Sequence, residues 1–157
     1  MSKTIHYIKG DATKPEGNGI KIIAHICNDI GGWGKGFVLA ISKRWKEPEI
    51  NYRNWYKSGD NFELGQVQFV KVEEDIIIAN MIGQKGIKSS HLDVPIRYDA
   101  VDSCLKKLSD KAEEIGASIH MPRIGCGLAG GKWDMIEPLI QKNIISNGID
   151  VWVYDFD

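Results

Sequence analysis

One segment constrains the fold of this chain more than any other. Residues 121–133 read Met-Pro-Arg-Ile-Gly-Cys-Gly-Leu-Ala-Gly-Gly-Lys-Trp, with four glycines in seven positions. An apolar run precedes the segment, and a helical pattern begins at about Met135. Glycine lets backbone N–H groups approach a ligand closely, and a helix start adds free N–H groups that suit phosphate. The segment therefore predicts a ligand loop between a strand and a helix, although a tight turn without a ligand has the same pattern.

A second glycine-rich segment has the same setting. Residues 31–36 read Gly-Gly-Trp-Gly-Lys-Gly, follow the apolar run of residues 20–26 and precede a helical pattern. Two such loops suit a ligand that carries two phosphates, or a phosphate and a sugar. Trp33 lies inside the loop, which is an unusual place for a core residue, so we expect it outside the core.

The apolar patterns predict six strands and four helices. The predicted strands are residues 5–8, 20–26, 66–72, 75–82, 118–124 and 151–156, and the predicted helices are residues 37–45, 49–57, 101–115 and 134–147. The third and fourth strands should form an antiparallel hairpin. This order predicts an α/β fold, with a mixed sheet covered by helices on both faces. At 157 residues we expect one domain, residues 1–157.

Proline and capping residues set the expected helix ends. We expect Pro48 to end the first helix. Asp134 is the expected N-cap of the last helix, because Pro138 is tolerated only in or near a first turn.

Composition excludes several classes of protein. The formal net charge of −1 argues against a bulk nucleic-acid partner. There is no apolar run of 18 residues, so we expect no transmembrane helix and no membrane partner. The first residues lack the apolar core of a signal peptide, and the three cysteines lack a pairing pattern. We therefore expect a cytoplasmic protein.

The familiar site motifs fit poorly. Residues 125–130 match G-x-G-x-x-G, but only one predicted strand follows, so we expect no dinucleotide fold. Lys35 is not followed by Ser or Thr, which excludes a Walker loop. His25 and Cys27 share a strand face without further ligands at recognisable spacing, so we expect no metal and no cofactor. A reactive thiol at Cys126 remains a minor alternative to a small residue lining the loop.

Several segments together resemble the macro domain, the ADP-ribose-binding module. They are Gly-Asp at 10–11, His-Ile-Cys-Asn at 25–28, Gly-Lys-Gly-Phe at 34–37, Asn-Met-Ile-Gly-Gln at 80–84 and Pro-Arg-Ile-Gly-Cys-Gly-Leu at 122–128. The resemblance covers nearly the whole chain. It is closest to the small stand-alone branch, similar to ADP-ribose 1″-phosphate phosphatase and terminal ADP-ribose glycohydrolase. It implies a three-layer α/β/α sandwich that binds ADP-ribose or a derivative, with an ADP-ribosylated protein as a further partner.

The resemblance also implies roles for individual residues. Asp11 would accept a hydrogen bond from the adenine amino group beside the Ala12 backbone, and Phe156 would pack against adenine. The remaining ligand-binding residues would be Asn28, Gly34, Gly36 and Phe37 around the distal ribose, and Gly125, Cys126, Gly127, Leu128 and Ala129 along the diphosphate. Without the resemblance, Asp11 would be taken as a turn residue and Phe156 as a C-terminal core residue.

The chain departs from the glycohydrolase branch at its catalytic positions. That branch uses a lysine nucleophile after the hairpin and an aspartate just past Gly-Cys-Gly-Leu. Here Ala129 stands at the aspartate position, and the lysine position falls near Gln84 or Lys85. Without the carboxylate, the lysine-adduct mechanism is in doubt.

Three other residues are candidates for catalysis. Lys35 could pair with a terminal phosphate, His91 (or Asp93 beside it) could act as general base, and Asn28 could orient water. The favoured hypothesis is a hydrolase that converts ADP-ribose 1″-phosphate to ADP-ribose and phosphate. The alternatives are a hydrolase of ADP-ribosylated side chains or O-acetyl-ADP-ribose, and a reader without catalysis. An enzyme is favoured because acid and base groups need not be recognisable from spacing.

Overall fold

The computed structural model describes residues 3–87 and 93–156. Over these residues the chain forms β1 (Ile5–Lys9), β2 (Lys21–Asn28), α1 (Phe37–Arg44), α2 (Glu47–Ser58), β3 (Val67–Glu73), β4 (Ile76–Gln84), α3 (Tyr98–Ile115), β5 (Ser118–Met121), α4 (Trp133–Asn143) and β6 (Val151–Asp155). Two short 3-10 helices lie at Gly127–Ala129 and Ile145–Asn147. Within the same residues, no helix is both long and apolar enough to span a membrane.

The six strands form one mixed sheet in the order β1-β6-β5-β2-β4-β3. Strand β3 is antiparallel to β4, and the other neighbours are parallel. After β2 the chain passes through α1 and α2 to β3 at one edge, whereas after β5 it passes through α4 to β6 on the other side. The chain thus diverges between β2 and β5. In α/β sheets, ligands bind outside the carboxyl ends of the strands at such a switch point.

Helices cover both faces of the sheet. On one face, Ile22 and Ala24 of β2 pack in a cluster with residues of α3 and α4. On the other face, Ile23 and Cys27 pack with Ile41 of α1 and with α2. The apolar run of β2 is continuous because both of its faces are buried. The predicted three-layer α/β/α arrangement is confirmed.

The expected role of Pro48 is wrong. Helix α1 ends at Arg44, where the next residue, Trp45, is extended (φ −141°, ψ 135°) and buried. Pro48 is the second residue of α2. A proline fits there because the first turn of a helix does not need its N–H group.

The start of the last helix lies within one residue of the predicted position, but the expected N-cap is wrong. Lys132 is the N-cap of α4, and its carbonyl accepts the N–H groups of Met135 and Ile136 at 2.9 and 3.2 Å. Asp134 is therefore the second helical residue, and Pro138 lies inside the helix. The helix tolerates the proline at the loss of one backbone hydrogen bond. It ends at Asn143, earlier than expected, and a 3-10 turn leads to Gly148.

A buried polar network connects the sheet to the turn after β1. His120 Nε2 lies 2.8 Å from Ser118 Oγ, and His120 Nδ1 lies 2.7 Å from the hydroxyl of Tyr154. That hydroxyl accepts the Glu16 N–H at 2.9 Å. Burial lowers the pKa of His120 from 6.5 to about 4, because the interior disfavours the charged imidazole. His120 is therefore neutral at neutral pH.

This pKa predicts an acid-sensitive fold. The unfolded chain binds more protons at His120 than the folded chain does, so its contribution is complete above pH 6.5 and is lost as pH falls towards 4. The variant His120→Gln keeps one donor and one acceptor but does not titrate in this range. Between pH 7 and 4, we expect its unfolding free energy to fall by about 3 kcal/mol less than that of the native protein. Urea denaturation at each pH measures this. Equal losses in both proteins would contradict a buried neutral imidazole.

Candidate ligand-binding site

A cleft of about 340 Å³ opens at the carboxyl ends of β2 and β5, between the start of α1 and the loop after β5. Its lining consists of His25, Ile26, Lys35, Gly36, Phe37, Val38, Gln84, Pro122, Arg123, Ile124, Gly125, Cys126, Gly127, Leu128 and Ala129. Both glycine-rich segments thus contribute to one cleft at the switch point of the sheet. Two other cavities, of about 540 and 380 Å³, are lined by residues outside both segments.

Close backbone contact shapes the loop after β5. The N–H of Gly131 donates to the carbonyl of Gly125 at 2.8 Å. A Cβ at Gly131 would lie 2.3 Å from that carbonyl oxygen, so only glycine fits without a shift. Gly125 and Gly127 have φ of 73° and 69°, in the left-handed region. The glycines are therefore required by the shape of the loop.

The segment before α3 packs against this loop. The N–H of Ile96 donates to the Ala129 carbonyl at 3.0 Å. A Cβ at Gly125 would lie 2.7 Å from Ile96 Cδ1, and one at Gly130 would lie 2.8 Å from Val94. The loop is thus packed closely on a second piece of chain.

The loop presents unused hydrogen-bond donors. In the part of the chain that the structure describes, the backbone N–H groups of Gly125, Gly127 and Leu128 donate to no protein acceptor. Gly127 and Leu128 begin a 3-10 helix, whose first N–H groups have no partner inside the helix. Such a group of donors suits an anion.

The start of α1, which also lines the cleft, presents a second set of backbone N–H donors. Helix α1 begins at Phe37 and has no side-chain cap. Gly36, at its N-cap, has φ 85° and ψ −147°, a conformation that favours glycine. Gly36, Phe37 and Val38 all line the cleft. The free N–H groups and partial positive charge of this helix start therefore lie opposite the first set.

Two cations line the cleft, and they differ in their partners. The Arg123 guanidinium binds both carboxylate oxygens of Asp155 at 2.7 and 3.1 Å, which raises the pKa of Arg123. It also lies 5.1 Å from the ring centre of Tyr7 and 5.2 Å from that of Trp133. Lys35 is exposed, and it forms no ion pair with any described residue. Lys35 is thus the cation that remains for a ligand.

His25 lies beneath the cleft and is almost fully buried. Its Nε2 lies 2.6 Å from Asn80 Oδ1, while Asn80 Nδ2 donates to the Pro48 carbonyl and to Gln68 Oε1. Because both Nδ2 bonds fix the Asn80 amide, Nε2 of His25 must carry the proton. Burial lowers the pKa of His25 to about 4, so the imidazole is neutral at neutral pH.

Asn28 organises the loop after β2. Its Oδ1 accepts the N–H groups of Ile30 and Gly32 at 3.0 and 2.9 Å and the Tyr52 hydroxyl at 2.9 Å. Its Nδ2 donates to the Gly32 carbonyl at 2.9 Å. Asn28 is buried and is not part of the cleft lining. Its predicted role at the distal ribose stays a prediction, while its bonds within the loop are clear.

The structure brings most of the predicted site residues together. Those that line the cleft are Lys35, Gly36, Phe37, Gly125, Cys126, Gly127, Leu128 and Ala129. Gly34, like Asn28, is not in the lining. His91 lies outside the described residues, and so its predicted role as a base remains a prediction.

The residues predicted to bind adenine lie at the ends of β1 and β6. Asp11 Oδ1 accepts the backbone N–H and the hydroxyl of Thr13 at 2.8 and 2.7 Å, and Ala12 is buried. Phe156 follows β6 and is 79% exposed, which rules out the alternative of a core residue. Asp11, Ala12 and Phe156 are on the same edge of the sheet as the cleft but outside its lining.

One expectation about a side chain, that of Trp33, is wrong, and the minor alternative for Cys126 is disfavoured. Trp33 is only 4% exposed and packs between His25 and Tyr52, with its Nε1 donating to Ser42 Oγ at 2.8 Å. The loop folds back onto α1, which buries the ring. Burial raises the pKa of the Cys126 thiol, which argues against a reactive thiolate.

Sequence reasoning did not identify the roles of His25, Gln84 and Arg123 in the lining. Each lies in a segment that carries the family resemblance, inside or close to the carboxyl-terminal half of a strand, which was the available signal. Within the described ranges there is no group of three His, Cys, Asp or Glu residues that could hold a metal.

Comparison with solved structures identifies the family. The chain is 51% identical to a macrodomain protein from Streptomyces coelicolor, covering 98% of this chain and 100% of that one, with a TM-score of 0.88. A structure from Bacteroides thetaiotaomicron is 59% identical, covering 98% and 99%, with a TM-score of 0.96. The chain therefore belongs to the macrodomain family. No family model matches it.

More distant relatives carry functional names. ADP-ribose 1″-phosphate phosphatase of Candida albicans is 27% identical over 146 residues, covering 88% of this chain and 92% of the phosphatase. Chromodomain-helicase-DNA-binding protein 1-like of Danio rerio is 34% identical over 96% of this chain, but the chain spans only 15% of that protein. The mouse counterpart is similarly covered, at 18% of its length. Thermosipho africanus DarTG, solved in complex with ADP-ribose, shares the fold, with a TM-score of 0.70 at 19% identity and coverage of 86% and 38%.

The close contact at Gly131 predicts a large effect of a single methyl group. We expect Gly131→Ala to lower the unfolding free energy by about 1–3 kcal/mol, because its Cβ would clash with the Gly125 carbonyl. Gly34→Ala is the matched control, since nothing lies within 4 Å of its Cβ position. Urea denaturation of both variants tests this. Equal stability of the two variants would contradict the contact.

The bonds of Asn28 predict a loss of stability when its amide is removed. We expect Asn28→Ala to cost roughly 2–4 kcal/mol, because it leaves two part-buried N–H groups of the loop without an acceptor. Asn54→Ala, at an exposed position of α2, should change stability by less than about 0.5 kcal/mol. Thermal unfolding compares the variants. An Asn28→Ala protein as stable as the control would show that another group holds the loop.

Proposed function

We propose that this chain binds ADP-ribose in the cleft and hydrolyses ADP-ribose 1″-phosphate to ADP-ribose and phosphate. The observation that carries the proposal is that two sets of free backbone N–H groups lie at one cleft. One set is at the start of α1, and the other belongs to Gly125, Gly127 and Leu128. A diphosphate satisfies both sets at once. The named activity of the Candida relative and the ADP-ribose bound to DarTG support this choice.

The strand order supports one direction for the ligand. The diphosphate lies over the ends of β5 and β2, where the free N–H groups are. Asp11 and Phe156 follow β1 and β6, so adenine lies on that side. The distal ribose then lies towards β4, on the other side of β2.

Lys35 supports a substrate with a third phosphate. It lines the cleft without an ion pair in the described part of the chain, whereas Arg123 is bound to Asp155. A terminal phosphate on the distal ribose would pair with its ammonium group. Lys35 would then stabilise the phosphate during attack by water.

A reader without catalysis is the second candidate. No carboxylate lines the cleft among the described residues, and Ala129 occupies the place of the aspartate of the glycohydrolase branch. With a pKa of about 4, His25 is a weak base at neutral pH. These features favour binding without turnover.

A phosphorus NMR time course with ADP-ribose 1″-phosphate separates the two candidates. We expect free phosphate to appear, and to appear at least about tenfold more slowly with Lys35→Ala, because one charged contact to phosphate is lost. Lys57→Ala, an exposed lysine at the end of α2, is the matched control.

Other results of the time course are equally informative. Broadened diphosphate signals without free phosphate would support the reader. Sharp, unchanged signals at millimolar protein would contradict ADP-ribose binding.

A further inference from the structure

Among the described residues that line the cleft, Gln84 is the only one whose side chain carries an oxygen. The other polar side chains of the lining, His25, Lys35, Arg123 and Cys126, carry nitrogen or sulfur. Most of these groups donate hydrogen bonds and suit the phosphate oxygens of a ligand. A ligand hydroxyl needs an acceptor, and the amide oxygen Oε1 of Gln84 is one.

The Gln84 amide is held in a fixed orientation. Its Nε2 donates to the Gly86 carbonyl at 3.0 Å, and the Gly86 N–H donates to Asp29 Oδ1 at 2.8 Å. The backbone of Gln84 pairs with Asn28 of β2 on one side and with Ile96 on the other. Oε1 has no partner among the described residues. The acceptor is therefore positioned, and no described residue donates to it.

Gln84 lies at the distal end of the proposed ligand. It is the last residue of β4, which is separated from β6 by β2 and β5. Three strand spacings span roughly 14 Å. Asp11 and Phe156 are on the β1 and β6 side, so Gln84 is on the far side of the diphosphate from the adenine end. The ligand group that reaches this position is the distal ribose, whose hydroxyls are donors.

We propose that Gln84 determines specificity for the distal sugar. Its Oε1 accepts a hydrogen bond from a ribose hydroxyl and so distinguishes ADP-ribose from ADP, which ends at the diphosphate. The proposal rests on the proposed binding of ADP-ribose but not on turnover. It adds a sugar-reading group to a site that otherwise recognises phosphates through its backbone.

Isothermal titration of the native protein and of Gln84→Leu with ADP-ribose and with ADP tests this proposal. We expect the variant to bind ADP-ribose about 5–20-fold more weakly, because one hydrogen bond is lost and the hydroxyl is left without a partner. Its affinity for ADP should stay within about twofold of the native value. Gln141→Leu makes the same chemical change at an exposed position of α4 and should alter neither affinity.

The variant Asp29→Ala tests whether the effect comes from the Gln84 acceptor oxygen or from movement of residues 84–86. This variant frees the Gly86 N–H but keeps Gln84, so we expect a smaller change in the ratio of the two affinities than in Gln84→Leu. An equal change in Asp29→Ala would overturn the proposal, since the effect would then come from movement of residues 84–86. Circular dichroism melting confirms that each variant is folded before titration.

The remaining outcomes are distinct. Equal weakening of ADP-ribose and ADP by Gln84→Leu, or no weakening of either, would overturn the role of Gln84 and leave ADP-ribose binding intact. A native protein that binds neither ligand would overturn the proposed function, and this inference with it.

Discussion

The burial of β2 on both faces is the constraint on which the site depends. Because helices pack on each side of this strand, the chain that leaves it has to turn away at its carboxyl end. Strand β5 ends beside β2. The chain after β5 continues through α4 to β6, which lies on the side of β5 away from β2. The two exits leave a crevice between them. The start of α1 and the glycine loop after β5 form the walls of this crevice because of the strand order.

Recognition in this crevice divides between backbone and side chains. In the proposed function, the donors to phosphate are main-chain N–H groups, so the side chains of Cys126, Leu128 and Ala129 would be of little consequence for that task. The glycines matter through the shape that they permit. Under the same proposal, substrate choice would fall to Lys35 and Gln84, the lining side chains with polar groups that no described residue binds. One protein fold can thus keep its diphosphate site while its choice of distal group changes.

Much of the fold could be predicted from local sequence. The continuous apolar run of β2, the hairpin of β3 and β4, and the periodic pattern of α3 each identify their element, because burial on one or two faces leaves a direct trace. The two glycine-rich loops could also be predicted, because clustered glycines between a strand and a helix are visible in the local sequence.

What could not be predicted depends on contacts between distant residues. The ring of Trp33 is buried because the loop returns to α1, and no local pattern records that return. The roles of Pro48 and Asp134 at helix ends were predicted wrongly. The turns beside a helix can move its boundary by one or two residues, and the local sequence does not record that shift. Gln84 reaches the cleft through strand order, which brings residues 84 and 125 to one edge of the sheet.

The support beneath the glycine loop has a consequence for the thermodynamics of binding. The Gly131 N–H and the Ile96 N–H hold the loop from two sides by bonds to backbone carbonyls. The N–H groups that the proposed function assigns to phosphate are therefore preorganised, so an anion that bound there would cost little conformational entropy. A small number of ordinary hydrogen bonds is then enough for useful affinity, because the cost of arranging them was met when the chain folded.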